Sequence, residues 1–432
     1  MSRLLPLCGL TLMFAACAHA AEIADSRPKP FDWPQWQGPD RTAVSKETGL
    51  LKEWPKAGPP LVWKAKGLGG GFSTPSVAAG RIFGMSYRGD DEGVWALDEA
   101  TGQELWWTRI AKAGKVGHGE GSRCTPTVDG ELVYALGTGG DLVCLNVKDG
   151  KEVWHKNLQA DFKGRMMSGW GYSESPLIDG DKLICTPGGK EATLVALNKK
   201  TGELIWKAPV PGGDGAGYAS AIPVDFAGRR EYVQFLGKGV VGVEAESGKF
   251  LWRYDHPANG TCNAETPIYH DGYVFASSAY NAGGGLAKLS SGSDGAVKAE
   301  EVWFTNKQMR NHHGGVILLD GYLYGANGGN EGGFLICLDF KTGKVMWDER
   351  DKPGRRGVSK GSVALADGRV YYRQEDGTMI LFEPSPKEYL ERGRFQQPDR
   401  SRAPAWSHPV IANGKLYLRD QDVLFCYDVK AK

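Results

Sequence analysis

One phrase recurs along the chain and limits its fold more than any other feature. It reads Ala-Leu-Asp98-Glu-Ala-Thr-Gly102-Gln-Glu-Leu-Trp106, then Cys-Leu-Asn146-Val-Lys-Asp-Gly150-Lys-Glu-Val-Trp154. It returns around Asn198, Gly202 and Trp206, around Glu244, Gly248 and Trp252, and around Asp339, Gly343 and Trp347. Each copy is an apolar strand that ends on an Asp, Asn or Glu able to bond the backbone of a turn. A glycine then supplies the positive φ of a tight hairpin, and a second strand carries a tryptophan. That tryptophan is expected to pack on the neighbouring repeat.

The phrase glycines stand 48, 52 and 46 residues apart, and then 95 apart, which is two steps. The skipped copy is divergent, running from Leu286 through a Gly-Ser insertion to Trp303. A second marker keeps the same period out of phase with the first. Ser73-Thr-Pro75, Cys124-Thr-Pro126, Glu174-Ser-Pro176, Ser220-Ala-Ile-Pro223, Glu265-Thr-Pro267 and Ser407-His-Pro409 open repeats, with Gly314-Gly-Val316 and Gly361-Ser-Val363 as variants. That makes eight openings, each followed by a hairpin such as Asp129-Gly130 or Asp179-Gly180. A period of 40–50 residues with four short strands per unit predicts an all-β fold, an eight-bladed β-propeller of four-stranded blades. The eighth repeat stops at Asp428, before its tryptophan strand. Gly58-Pro-Pro-Leu-Val-Trp63-Lys64 supplies that strand, so an N-terminal strand is expected to close the ring and remove its open edge.

The expected organisation is an export signal over 1–20, a lead-in segment over 21–57 and the propeller over 58–432. Arg3, the apolar stretch Leu4–Ala16 and Ala18-His19-Ala20 form the signal pattern. A second reading makes Cys17 an acylated lipoprotein cysteine, although Phe14 stands where such sites carry Leu. No segment is long and apolar enough to span a bilayer. The chain is therefore expected in the periplasm or outside the cell, as a monomer. A formal net charge of +1, with both signs interspersed, gives no reason to expect nucleic acid as a partner. Six cysteines follow the export segment without any adjacent pair. Cys144, Cys337 and Cys426 sit in apolar strands and are expected to be buried free thiols.

These phrases resemble pyrroloquinoline-quinone (PQQ)-like repeats over nearly the whole mature chain, and Trp33-Pro-Gln-Trp36-Gln-Gly-Pro-Asp-Arg41 resembles the lead-in of the same superfamily. The resemblance implies one of two branches. Quinoprotein alcohol dehydrogenases hold PQQ and calcium in the central funnel. Other propellers are non-catalytic, among them the lipoprotein that assists outer-membrane β-barrel assembly. The dehydrogenases stack the quinone on a disulfide between adjacent cysteines, which this chain lacks. No Asp here aligns with their catalytic base, so the resemblance carries over no catalytic residue.

In a propeller the loops from the outer strand of one blade to the inner strand of the next surround the channel mouth. Those loops hold His118, Glu120 and Arg123; Trp170, Tyr172 and Glu174; Asp214 and Tyr218; Asn263 and Glu265; His312 and His313; Arg355, Arg356 and Lys360; and Trp406 and His408. Histidine, carboxylate, tryptophan and arginine converging on one concavity are what a polar ligand site requires. Glu174, Asn263 and Glu265 offer the hard oxygen donors that calcium takes. His312-His313 could ligate one metal only from an irregular loop, because strand neighbours point to opposite faces. Two expectations for function stand together. A non-catalytic binding or scaffold propeller, holding an envelope protein, peptide or glycan, is preferred over a quinoprotein oxidoreductase that oxidises an alcohol or sugar hydroxyl.

Overall fold

A computed structural model describes residues 28–117, 121–351 and 359–432. The export segment with Cys17, together with His118, Glu120, Arg355 and Arg356, lies outside the described residues. Eight antiparallel sheets form a ring of blades. Their inner strands are, in order, Ser76–Ala78, Thr127–Asp129, Leu177–Asp179, Ile222–Phe226, Ile268–His270, Val316–Leu319, Gly361–Ala366 and Val410–Ala412. The blades are numbered 1 to 8 in that order.

The repeated phrase is the device that docks each blade on the next. Asp98 accepts from the Thr101 backbone N–H at 2.9 Å and holds the turn of blade 1. Gly102 follows at φ 70°. Trp63 of blade 8 lies over that turn and donates its indole N–H to the Glu99 carbonyl at 3.2 Å. The pattern repeats as Trp106 to Val147, Trp154 to Lys199, Trp206 to Ala245 and Trp303 to Phe340. A Cβ at Gly248 would lie 2.6 Å from the Trp206 ring, whereas one at Gly180 would meet nothing within 4 Å. Both glycines have positive φ. Gly248→Ala is therefore expected to destabilise by about 2 kcal/mol more than Gly180→Ala, the excess being overpacking against the indole. Paired denaturant unfolding curves would measure it, and equal losses would refute the docking role.

The opening motif serves the inner ring in the same way. The Thr125 N–H donates to Ser175 Oγ, the Ser175 N–H to Ser220 Oγ and the His408 N–H to Thr74 Oγ1, each at 2.9 Å. A hydroxyl of the opening motif thus accepts from the preceding blade, where no continuous ladder can form. Closure follows the expected route: Leu61–Ala65 pairs antiparallel with Val423–Asp428, placing Trp63 opposite Cys426. Among the described residues all six cysteines are buried free thiols.

The lead-in segment does something that no sequence period announced. It loops up into the central channel from the face opposite the mouth. Trp33 pairs with Val77 of blade 1, the Pro34 carbonyl accepts from Val128 of blade 2, and Val44–Ser45 adds a parallel strand to the inner edge of blade 7. Between these anchors Arg41 donates to the Ser175 and Ala221 carbonyls of blades 3 and 4 at 3.1 and 3.0 Å, and Trp36 Nε1 donates to Thr266 Oγ1 of blade 5 at 2.8 Å. The segment fills the lower channel and satisfies inner-strand polar groups that would otherwise need water.

Candidate functional site

Above this plug the channel opens as a blind cavity of about 740 Å³. Its floor is Trp36, whose ring centroid lies 4.6 Å from that of His408. One wall is Trp170, with Tyr218 at 5.5 Å and Tyr280 at 6.4 Å. Across the ring stands Trp406, with Phe72 at 4.8 Å and His313 at 4.7 Å. Arg123, Thr261, Cys262 and Asn330 also line it.

Seven of the residues expected at the mouth line the cavity: Arg123, Trp170, Tyr218, His312, His313, Trp406 and His408. Lys360 stands behind His312. The others are bonded into the blades and do not line the cavity. Tyr172 donates to the Pro187 carbonyl at 2.8 Å. Glu174 accepts from Thr186 Oγ1 and from Gln234 Nε2 of the next blade at 2.8 and 3.0 Å, and burial pushes its pKa up to about 7. Glu265 accepts from the Ser277 hydroxyl, with its pKa pushed up by burial to about 8. Asn263 donates to the Leu236 carbonyl at 2.9 Å, and Asp214 pairs with Arg253 at 2.8 Å.

The residues missed from sequence include Phe72, Thr261 and Cys262, Trp36, which comes from the plug, and Tyr280, Asn330 and Glu375, which come from turns between second and third strands. Those turns share a face with the loops between blades because the strands alternate in direction, and that alternation is a usable signal. Tyr280 and Asn281 both hold positive φ, at 54° and 69°. A bulky aromatic in the left-handed region is strained, and here the strain sets Tyr280 into the cavity wall.

Beside Tyr280 lies an ordered polar relay. Lys360 Nζ sits 2.9 Å from His312 Nδ1 and 3.3 Å from Glu375 Oε1. An ammonium can only donate, so His312 Nδ1 accepts and its Nε2 carries the proton. That Nε2–H faces Tyr280 Oη at 2.8 Å. Trp406 Nε1 donates to Glu375 Oε1 at 2.6 Å. Burial first, and nearby positive charge second, hold the His312 pKa down to about 3, and burial lowers that of His408 to about 4. All three imidazoles of the cavity are therefore neutral at physiological pH, with His313 driven well below its usual range by burial.

Among the described residues, ligand atoms of His312, His313 and Glu375 lie within 4.8 Å of one another, a spacing that a metal could bridge. The Lys360 ammonium already holds that cluster together, and both His312 nitrogens are committed, so the donor set does not fit a metal. It does not fit a calcium–quinone pair either. The oxygen donors Glu174 and Asn263 are bonded internally, Glu265 is bonded to Ser277 through one of its two oxygens, and none of the three lines the cavity. Cys262 lines it without a second cysteine beside it.

The sequence profile of a family described as "Outer membrane protein assembly factor BamB" matches residues 35–169 and 107–349. A protein of that name from Burkholderia pseudomallei is 23 % identical over 273 residues, covering 62 % of this chain and 64 % of that protein. The chain thus matches less than two thirds of that relative's length. Its counterpart from Escherichia coli is 24 % identical over 376 residues, 71 % of this chain and 85 % of that protein. Among solved structures, the quinohemoprotein alcohol dehydrogenase ADHIIG of Pseudomonas putida HK5 superposes with a TM-score of 0.60. It covers 95 % of this chain and 81 % of its own, at 14 % identity, a likeness of fold alone. Among the described residues no helix is long and apolar enough to cross a membrane.

Proposed function

The chain belongs to the family described as outer membrane protein assembly factor BamB, and from that premise we propose that it is a non-catalytic binding propeller of the cell envelope. The blind, aromatic-walled cavity carries the reading. Its tryptophans and tyrosines offer large stacking faces, while its imidazoles are neutral and held in fixed hydrogen bonds. The mouth loops hold an envelope protein, peptide or glycan, and the plug below anchors the inner strands that position them. Export to the periplasm or cell surface, with or without acylation at Cys17, belongs to the same proposal.

The quinoprotein alternative is less favoured, because the residues around the cavity do not suit the cofactor pair. Trp406 is the residue on which a test turns. It joins the Phe72–His313 wall to Glu375, so Trp406→Ala opens one side of the cavity and leaves the tryptophan–turn contacts that dock the blades in place. Immobilised wild-type protein is expected to retain an envelope component that the Trp406→Ala protein loses, with thermal unfolding shifted by no more than a few degrees. Supplying PQQ and Ca²⁺ is expected to give no dye-linked oxidation of alcohols or sugars, and saturable turnover would overturn the proposal.

A further inference from the structure

We infer that the cavity recognises the terminal sugar of a glycan chain, an assignment that rests on the binding reading above. Three observations converge on it. First, the channel is closed below by Trp36, which is bonded to Thr266 and packed on His408. A polymer cannot thread through a blind cavity, so it enters by its end. Second, the aromatic walls face several directions. The Trp406 ring is tilted 40° to Phe72 and 60° to His313, and Trp170 is tilted 45° to Tyr218. Trp170 and Tyr280 are nearer to parallel, at 27°, but their centroids are 6.4 Å apart, short of the roughly 7 Å that a flat ring stacked between them needs. Tilted faces suit a puckered pyranose, which presents C–H groups on both sides.

Third, the cavity carries an oriented donor. Lys360 fixes His312 with its proton on Nε2, and that proton is given to Tyr280 Oη. The Tyr280 hydroxyl therefore has its acceptor side filled and its own hydrogen left to donate to a ligand oxygen. Strained backbone at Tyr280 keeps the ring in the wall. Arg123, Thr261 and Asn330, which also line the cavity, add polar contacts for the hydroxyl edge of a sugar. Tyr280 is thus a direct ligand contact, and Lys360 and His312 are positioning residues for it.

The test is an array of glycans immobilised by their reducing ends, probed with the wild-type protein and with Tyr280→Phe and Trp406→Ala. Wild-type binding is expected to group by the terminal unit, whatever lies beneath it, and to vanish when an exoglycosidase removes that unit. Tyr280→Phe keeps the ring and removes only the donor, so it should weaken binding about ten-fold, the size of one lost hydrogen bond to a neutral group. Trp406→Ala should abolish binding. Binding that survives terminal trimming, or that ignores Tyr280→Phe, would overturn the assignment. If no glycan binds while Trp406→Ala still loses an envelope protein or peptide, the sugar assignment falls and the binding reading stands. If that difference is absent as well, both fall.

Discussion

Replacing Arg41 by alanine is expected to lower the stability of the ring by about 4 kcal/mol, a large loss for a residue outside the repeats. Its guanidinium is buried in the channel and donates to the carbonyls of Ser175, Pro176 and Ala221, while its Nε donates to Gln35 at 2.9 Å. Burial lowers its pKa to about 10, so it stays charged at neutral pH. Each charge-assisted hydrogen bond contributes roughly 1.5–3 kcal/mol, and each buried carbonyl left without a donor costs roughly 1–3 kcal/mol. Relief of the desolvated charge offsets part of that sum. Lys46→Ala, in an exposed ion pair with Asp40, should be nearly silent in comparison. Urea unfolding of both variants would measure the difference. A loss below about 1 kcal/mol at Arg41 would mean that water replaces the guanidinium, and that the plug does not hold the inner strands.

Why the plug escapes a reading of the sequence is physical. Residues 33–45 have no period, because each one meets a different blade. Trp33 reaches blade 1, Arg41 blades 3 and 4, Trp36 blade 5, and Val44–Ser45 blade 7. A two-residue parallel strand leaves no alternation to detect. The closing strand at Trp63 is legible for the opposite reason. The eighth repeat visibly lacks its tryptophan strand, and residues 58–64 carry one without a repeat of their own. Repetition makes the ring readable, and each single-use contact stays hidden.

The candidate site divides along the same line. Trp170, Tyr218, His312, His313, Trp406 and His408 are legible because they lie between a tryptophan phrase and the next opening strand. Glu174 and Glu265 lie in those loops too, yet Glu174 turns to Gln234 of the next blade and Glu265 to Ser277 of its own. One sequence cannot separate the two directions, since a carboxylate satisfied by Ser277 and one facing a ligand look alike. Tyr280 and Glu375 lie in the other set of turns that shares the mouth face, where no tryptophan phrase marks the position. The Lys360–His312–Tyr280 relay joins residues up to 80 positions apart, and no local pattern encodes such a contact.

The buried carboxylates make the protein's stability depend on pH in an unusual direction. In the folded state burial raises the Glu265 pKa to about 8 and the Glu174 pKa to about 7, whereas an unfolded glutamate titrates near its ordinary value of about 4.3. Between those limits the folded chain binds more protons than the unfolded one, so stability falls as pH rises. The contribution is fully present below about pH 4, shrinks across pH 4–8 and is gone above. For Glu265 the loss amounts to about 1.4 kcal/mol for each pH step across that window, roughly 5 kcal/mol in all. Glu265→Gln keeps the shape of the protonated acid and an oxygen to accept from Ser277. The variant should match the wild type near pH 5 and exceed it by several degrees in Tm at pH 9. That gain would identify Glu265 as a buried acid that keeps its proton at neutral pH. A variant that loses stability equally at pH 5 and pH 9 would show instead that the carboxylate, and not the acid, is the form the fold requires.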